Sequence, residues 1–136
     1  MSTPSEMLAK IESIDVELLM QVAMEITAET AVEQQRLQLQ QGLRSDETHL
    51  PDYAPSSVAK GKPPGPIRLF DKGDFYKGFL LDVRNDIFIL VSSDRKCPML
   101  QEKYNQNILA LASAAKNNWI KVIDPVFQNL VRNELL

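Results

Sequence analysis

The run Ile87-Phe88-Ile89-Leu90-Val91 constrains this chain more than any other feature. It is short, apolar and dominated by β-branched and aromatic residues, which predicts a strand. Alternation puts Ile87, Ile89 and Val91 on one side and Phe88 and Leu90 on the other. Both sides are apolar, so a strand here needs cover on both, from helices or from another subunit. The run closes a stretch, residues 65–93, that carries the clearest strand signals in the sequence. Ile67–Phe70 predicts a short strand. Asp71-Lys72-Gly73 predicts a turn, or the start of a helical turn over Asp74–Lys77. Phe79–Val83 and Ile87–Val91 then predict a hairpin across Arg84-Asn85-Asp86. The expected sheet is small and antiparallel, a hairpin plus one strand, at the centre of an α+β fold.

Helices are expected on either side of it. Thr3-Pro4-Ser5-Glu6 is a helix start: a capping threonine, proline at the first helical position and glutamate three residues on. Ile14-Asp15 is a possible second start. Val16, Leu18, Leu19, Val22, Ala23 and Ile26 recur at three- and four-residue steps, which predicts one long amphipathic helix running to about Gln41. Gly42 then supplies the stop. Residues 34–41 are odd for such a helix, with five glutamines and only Leu37 and Leu39 apolar. This half is either solvated or awaits another subunit, which makes Gln34, Gln35, Gln38 and Gln41 interface candidates.

Residues 43–66 hold five of the eight prolines together with Gly61 and Gly65, and read as an extended loop or arm. A loop of more than about 15 residues is commonly functional. It is expected to be ordered by a neighbouring subunit, with Tyr53, Lys60 and Lys62 as contact candidates. The alternative is a connection packed weakly on its own domain. Beyond the sheet, Pro98 predicts a short helix through Tyr104 with Met99 and Leu100 inward. Ser113 predicts a cap for a last helix bearing Trp119, Ile120, Ile123, Val126, Phe127, Leu130 and Val131. Pro125 either kinks this helix or divides it at Asp124. The expected organisation is a single domain of 136 residues: 1–42 helical, 43–66 loop or arm, 67–93 sheet and 97–134 helical.

Composition narrows the function classes. A net charge of −3 argues against a strongly basic nucleic-acid binder. Charge is nevertheless uneven. Residues 1–33 carry seven acids against one base, net −6, and residues 60–77 carry five bases against two acids, net +3. Such asymmetry is either idle or makes one copy's front complementary to the next copy's back. Cys97 is the only cysteine, which fits synthesis in a reducing cytoplasm. No membrane-spanning run and no signal-peptide layout are expected.

The residues build no catalytic constellation, and no enzyme activity or cofactor is expected. His49 and Cys97 stand about fifty residues apart and form no zinc set. Asp71, Asp74, Asp82 and Asp86 lack the dense alternation of a calcium loop. Ser92-Ser93 has no histidine nearby. Cys97 follows Arg95 and Lys96, which would lower a thiol pKa, but no base accompanies it. Gly73 and Gly78 lack the Lys-Ser/Thr of a phosphate loop. Phe75, Tyr76 and Phe79 among lysines suggest either base stacking or, more simply, core aromatics.

Leu69 with Gly73-Asp74-Phe75-Tyr76 and Phe79 resembles the L-x-x-T-G-D-F-Y-x-x-F signature of small neck, tail-completion and head–tail connector proteins of tailed phages, notably those of Bacteroides-type hosts. Asp71 lies inside the same motif. Gln38-Leu39, Gly42 and Tyr53 match the family's upstream Q-L-x-x-G and tyrosine. Leu100, Lys103-Tyr104, Ile108-Leu109 and Leu111 match its downstream L-x-x-K-Y-x-x-x-I-L-x-L. The likeness covers roughly residues 34–134. Lys72 replaces the family's threonine, removing a hydroxyl that could cap the turn. Asn105 replaces a glycine, and asparagine tolerates the backbone that glycine serves. The resemblance implies a noncatalytic virion protein working as a ring of identical subunits between portal and tail. Its partners would be itself, portal or adaptor proteins and tail proteins, with DNA only passing through the lumen and no membrane. The alternatives are a phage assembly adaptor or chaperone absent from finished particles, or a small cytosolic protein-binding module.

Overall fold

A computed structural model describes residues 3–62, 64–70, 73–84 and 87–136. The fold is α+β. Among the described residues it comprises α1 (Pro4–Ser13), α2 (Val16–Ile26), α3 (Ala28–Gln40), α4 (Pro55–Ala59), α5 (Asp74–Lys77), β1 (Phe79–Arg84), β2 (Ile87–Ser92), α6 (Cys97–Tyr104), a 3-10 turn (Gln106–Ile108) and α7 (Ser113–Leu135).

The expected long N-terminal helix is divided in three. The capping box at α1 is present: Glu6 N–H donates to Thr3 Oγ1 and Thr3 N–H to a Glu6 carboxylate oxygen, both at 3.1 Å. Asp15 caps α2 by accepting from Leu18 N–H at 3.1 Å. The break between α2 and α3 falls at Thr27, a feature that hydrophobic periodicity does not register. Its buried hydroxyl donates back to Ala23 O at 2.9 Å and accepts from the Trp119 indole N–H at 2.9 Å. Such back-bonding bends a helix, and the bend lets both α2 and α3 lie against α7.

Helix α3 ends as Gly42 predicts. Leu43 N–H reaches Gln38 O at 3.1 Å, Gly42 N–H reaches Leu39 O at 2.9 Å, and Gly42 has φ +71°. This is the Schellman arrangement. Leu50 N–H then donates to Gly42 O at 2.8 Å, so the chain folds straight back onto the helix end.

β1 and β2 pair antiparallel, with Phe79 opposite Ser92, Leu81 opposite Leu90 and Val83 opposite Phe88 on one face. That face meets α2, α3 and α7, and Phe88 packs edge-on to Trp119 with ring centroids 4.8 Å apart. Asn85 and Asp86, in the predicted turn, lie outside the described residues, as do Pro63, Asp71 and Lys72.

Ile67–Phe70 is not the expected third strand; among the described residues the sheet has two strands. Leu69 has φ +55°, which breaks an extended run, and Pro66 has no N–H to donate. The segment instead meets residues 51–53 in an isolated antiparallel bridge, Asp52 to Pro66. Ile67 N–H donates to Pro51 O at 2.8 Å and Tyr53 N–H to Gly65 O at 2.9 Å.

At the C-terminal side α6 runs as expected to Tyr104, with Pro98 in its first turn and Leu100 packed on the core. Met99 faces outward instead of inward. Asn105 has φ +86°, so a residue tolerant of positive φ is needed there. α7 is one helix with Pro125 inside it, not two meeting at Asp124. Its N-cap is Ala112, and no side chain caps it, Ser113 included. Lys121 and Pro125 are both exposed, so water can replace the missing hydrogen bond. No described helix is long and apolar enough to cross a membrane.

Candidate interaction surface

The hairpin buries one face and leaves the other bare. Leu80 opposes Val91, Asp82 opposes Ile89 and Arg84 opposes Ile87 on the outer face. Leu80, Ile87, Ile89 and Val91 are 38–62 % exposed. Asp82 and Arg84 form an ion pair at 3.1 Å among them. That pair is solvent-exposed and adds little stability, so the face is in effect four aliphatic side chains around a neutralised polar centre. The apolar character of both sides of Ile87–Val91 is therefore matched by helices on one side only.

A second apolar surface lies at the N-terminus. Helix α1 buries none of its residues, and Met7, Leu8 and Ile11 are all exposed. Ten residues with good caps form at best a marginal helix in isolation. Val16, Leu18 and Ile26 extend the exposed apolar surface along α2. Acidic residues accompany these positions, since residues 1–33 are net −6.

The motif residues are mostly scaffold. Gly73 has φ +84° and starts α5; a Cβ there would stand 3.1 Å from the Phe70 ring. Asp74 is exposed in the first turn of α5. Phe75, Tyr76 and Phe79 are buried and pack on one another, with centroid distances of 5.0 Å for Phe75–Phe79 and 5.4 Å for Tyr76–Phe79. They are core aromatics and not a stacking platform for bases. Burial pushes the Tyr76 phenol well above its ordinary range, so it remains neutral. Asp71 lies outside the described residues.

The glutamine candidates divide. Gln35 and Gln38 are buried and cannot meet another subunit from the folded chain. Gln38 Nε2 donates to Ala110 O at 2.8 Å and its Oε1 accepts from Ala112 N–H at 2.7 Å. Gln35 Nε2 donates to Ile108 O at 3.0 Å. Together they hold the extended connection before α7, whose backbone has no strand to pair with. Gln34 accepts from Asn118 Nδ2 at 3.2 Å, and Gln41 is exposed. Sequence pattern missed this role because glutamine in a helix reads as solvated surface.

The loop is also less free than expected. Residues 43–53 are tied to their own chain: Arg44 Nε donates to Tyr104 O at 2.8 Å, Ser45 N–H to Asn107 O at 2.9 Å, and Leu50 is 2 % exposed in the core. The expectation of an arm ordered only by a neighbour fails for this half. Polar side chains at Arg44, Asp46 and Thr48 supply the hydrogen bonds that regular structure would have given. Residues 54–62 are more exposed and carry α4, with Lys60 exposed. Tyr53 is half-buried, with Lys62 Nζ 5.8 Å from its ring centre.

Among the described residues no group of three or more His, Cys, Asp and Glu is placed to hold a metal. Cys97 is buried, and burial pushes its thiol pKa up, opposite to the lowering expected from Arg95 and Lys96. A buried thiol with a raised pKa stays protonated at neutral pH. Compared with known proteins, the chain matches no family model, no curated protein and no solved structure.

Proposed function

We propose that this chain is a noncatalytic structural subunit of a tailed-phage virion, assembling as part of a ring in the neck, connector or tail-completion region between portal and tail. The observation that carries the reading is the uncovered outer face of the hairpin, Leu80, Ile87, Ile89 and Val91, in a domain whose motif aromatics are consumed by its own core. A head-to-tail ring needs two different complementary surfaces on each copy. The hairpin face and the exposed stripe of α1 are two such surfaces. The motif resemblance centred on Gly73–Phe79 supplies the setting, and the low net charge suits a lumen that DNA must traverse without sticking.

Purified particles examined by mass spectrometry should contain the chain in multiple copies. Ile89→Lys should block its incorporation while the isolated protein keeps its fold. Presence of the chain in infected cells but not in finished particles would replace this reading with that of an assembly adaptor. Normal incorporation of the Ile89→Lys chain would remove the hairpin face from the argument.

A further inference from the structure

The outer face of the hairpin is one helix wide. Neighbouring strands stand about 4.8 Å apart, so two strands with their side chains span roughly the 10 Å width of a helix. Its aliphatic residues are not spread evenly. Ile87, Ile89 and Val91 form a row on β2, and Leu80, Asp82 and Arg84 form the row beside it on β1. The β2 row is thus bordered by an acid and a base two residues apart, about 7 Å along a strand. Helix α1 has the opposite deficiency. It is capped, and it buries none of its ten residues. It lies beside α7 and not on its own hairpin. Its joint to α2 is two extended residues, Ile14 and Asp15, and each helix carries its own N-terminal cap, so α1 can change direction without disturbing either cap.

With about 3.6 residues per turn, Met7, Leu8 and Ile11 share one side of α1. Glu6 and Lys10 stand one turn apart on one border of that side, about 6 Å along the axis. A base and an acid on the helix border therefore match an acid and a base on the β1 row at nearly the same spacing. We propose that α1 of one copy seats on the outer hairpin face of the next, with Met7, Leu8 and Ile11 over Ile87, Ile89 and Val91, Glu6 facing Arg84 and Lys10 facing Asp82. This order runs α1 antiparallel to β1. The Asp82–Arg84 pair is exposed, so exchanging it for two pairs across copies costs little. The exchanged pairs fix register more than affinity. A copy that gives its α1 keeps its own hairpin open to receive another, which makes the contact head-to-tail. Repetition of this contact into a closed ring rests on the reading proposed above, whereas the contact itself forms between any two free chains.

The test mixes two full-length chains in an NMR experiment that detects weak contacts. One chain carries Ala9→Cys with a nitroxide, on the side of α1 away from Met7 and Ile11, and no isotope. The other is wild type with labelled Ile, Leu and Val methyls. Wild-type chain treated with the nitroxide reagent is the blank, since Cys97 is buried. Line broadening at Leu80, Ile87, Ile89 and Val91 of the labelled chain, above the blank, supports the contact. Ile11→Asp in the nitroxide chain should weaken it about tenfold or more, the loss expected for one buried aliphatic anchor. Because α1 buries nothing, that variant keeps the rest of the fold. Lys10→Glu should weaken the contact about two- to fivefold, and Asp82→Lys in the labelled chain should restore it. No broadening of these methyls between chains at millimolar concentration, or broadening that survives Ile11→Asp, overturns the proposal. So does broadening confined to a single chain carrying both labels, which would place α1 on its own hairpin. Contact between free chains, with the chain absent from particles, upholds the contact and removes the virion reading alone.

Discussion

Gln38 is the residue whose role changed most between sequence and fold, and Gln38→Leu tests that change. Leucine nearly fills the same volume and favours the helix as well as glutamine does. What it removes is the pair of bonds to Ala110 O and Ala112 N–H, at 2.8 and 2.7 Å. Ala112 is buried, and two backbone groups would be left without partners. At about 1–3 kcal/mol for each orphaned group, less a modest gain from the new aliphatic burial, the expected loss is about 3 kcal/mol. For 136 residues that corresponds to a fall in Tm of roughly 10 °C. Gln35→Leu is the internal control. It breaks one bond, to Ile108 O, but also removes Oε1, which is buried without a partner. Its cost should be about 1 kcal/mol, a third of the other. Thermal and urea unfolding of the two variants, with light scattering to hold the oligomeric state in view, give the comparison. Equal stability of Gln38→Leu and wild type, or loss of assembly without loss of stability, would refute the internal role.

Three other outcomes follow from the geometry. Gly42→Ala places a Cβ 2.5 Å from Pro66 Cβ at a position of φ +71°, so urea unfolding should show a loss of about 2 kcal/mol or more. Thr27→Val removes the acceptor of the buried Trp119 indole N–H and should cost about 1–3 kcal/mol, with a shift in Trp119 fluorescence as the local sign. Asp46 is held below its ordinary pKa chiefly by hydrogen bonds from the Thr48 side chain and backbone, then by Asn107. A depressed carboxyl stabilises the fold above its unfolded pKa of 3.8 and loses that contribution as pH falls through the lower folded value. The protection of the Thr48 amide relative to the unfolded chain should therefore fall as pH drops below 3.8, and Asp46→Asn should abolish that dependence.

The local vocabulary of the chain determined much of this protein by itself. Thr3-Pro4-Ser5-Glu6, Asp15, Gly42 and Pro98 carry their helix boundaries in short-range hydrogen bonding and φ preference, and each boundary falls where those rules put it. The hairpin follows from period-two alternation for the same reason. Tertiary structure decided what depends on distant partners. Thr27 breaks a helix because Trp119, far along the chain, needs an acceptor. Gln35 and Gln38 are buried because the connection before α7 has no strand to bond. Ile67–Phe70 is no strand because Leu69 turns out of the extended region and residues 51–53 claim its donors. Periodicity measures the water-avoiding pattern of one segment. It cannot register which polar groups elsewhere are short of a partner, nor that the hairpin's inner face would find helices while Leu80, Ile87, Ile89 and Val91 would remain uncovered.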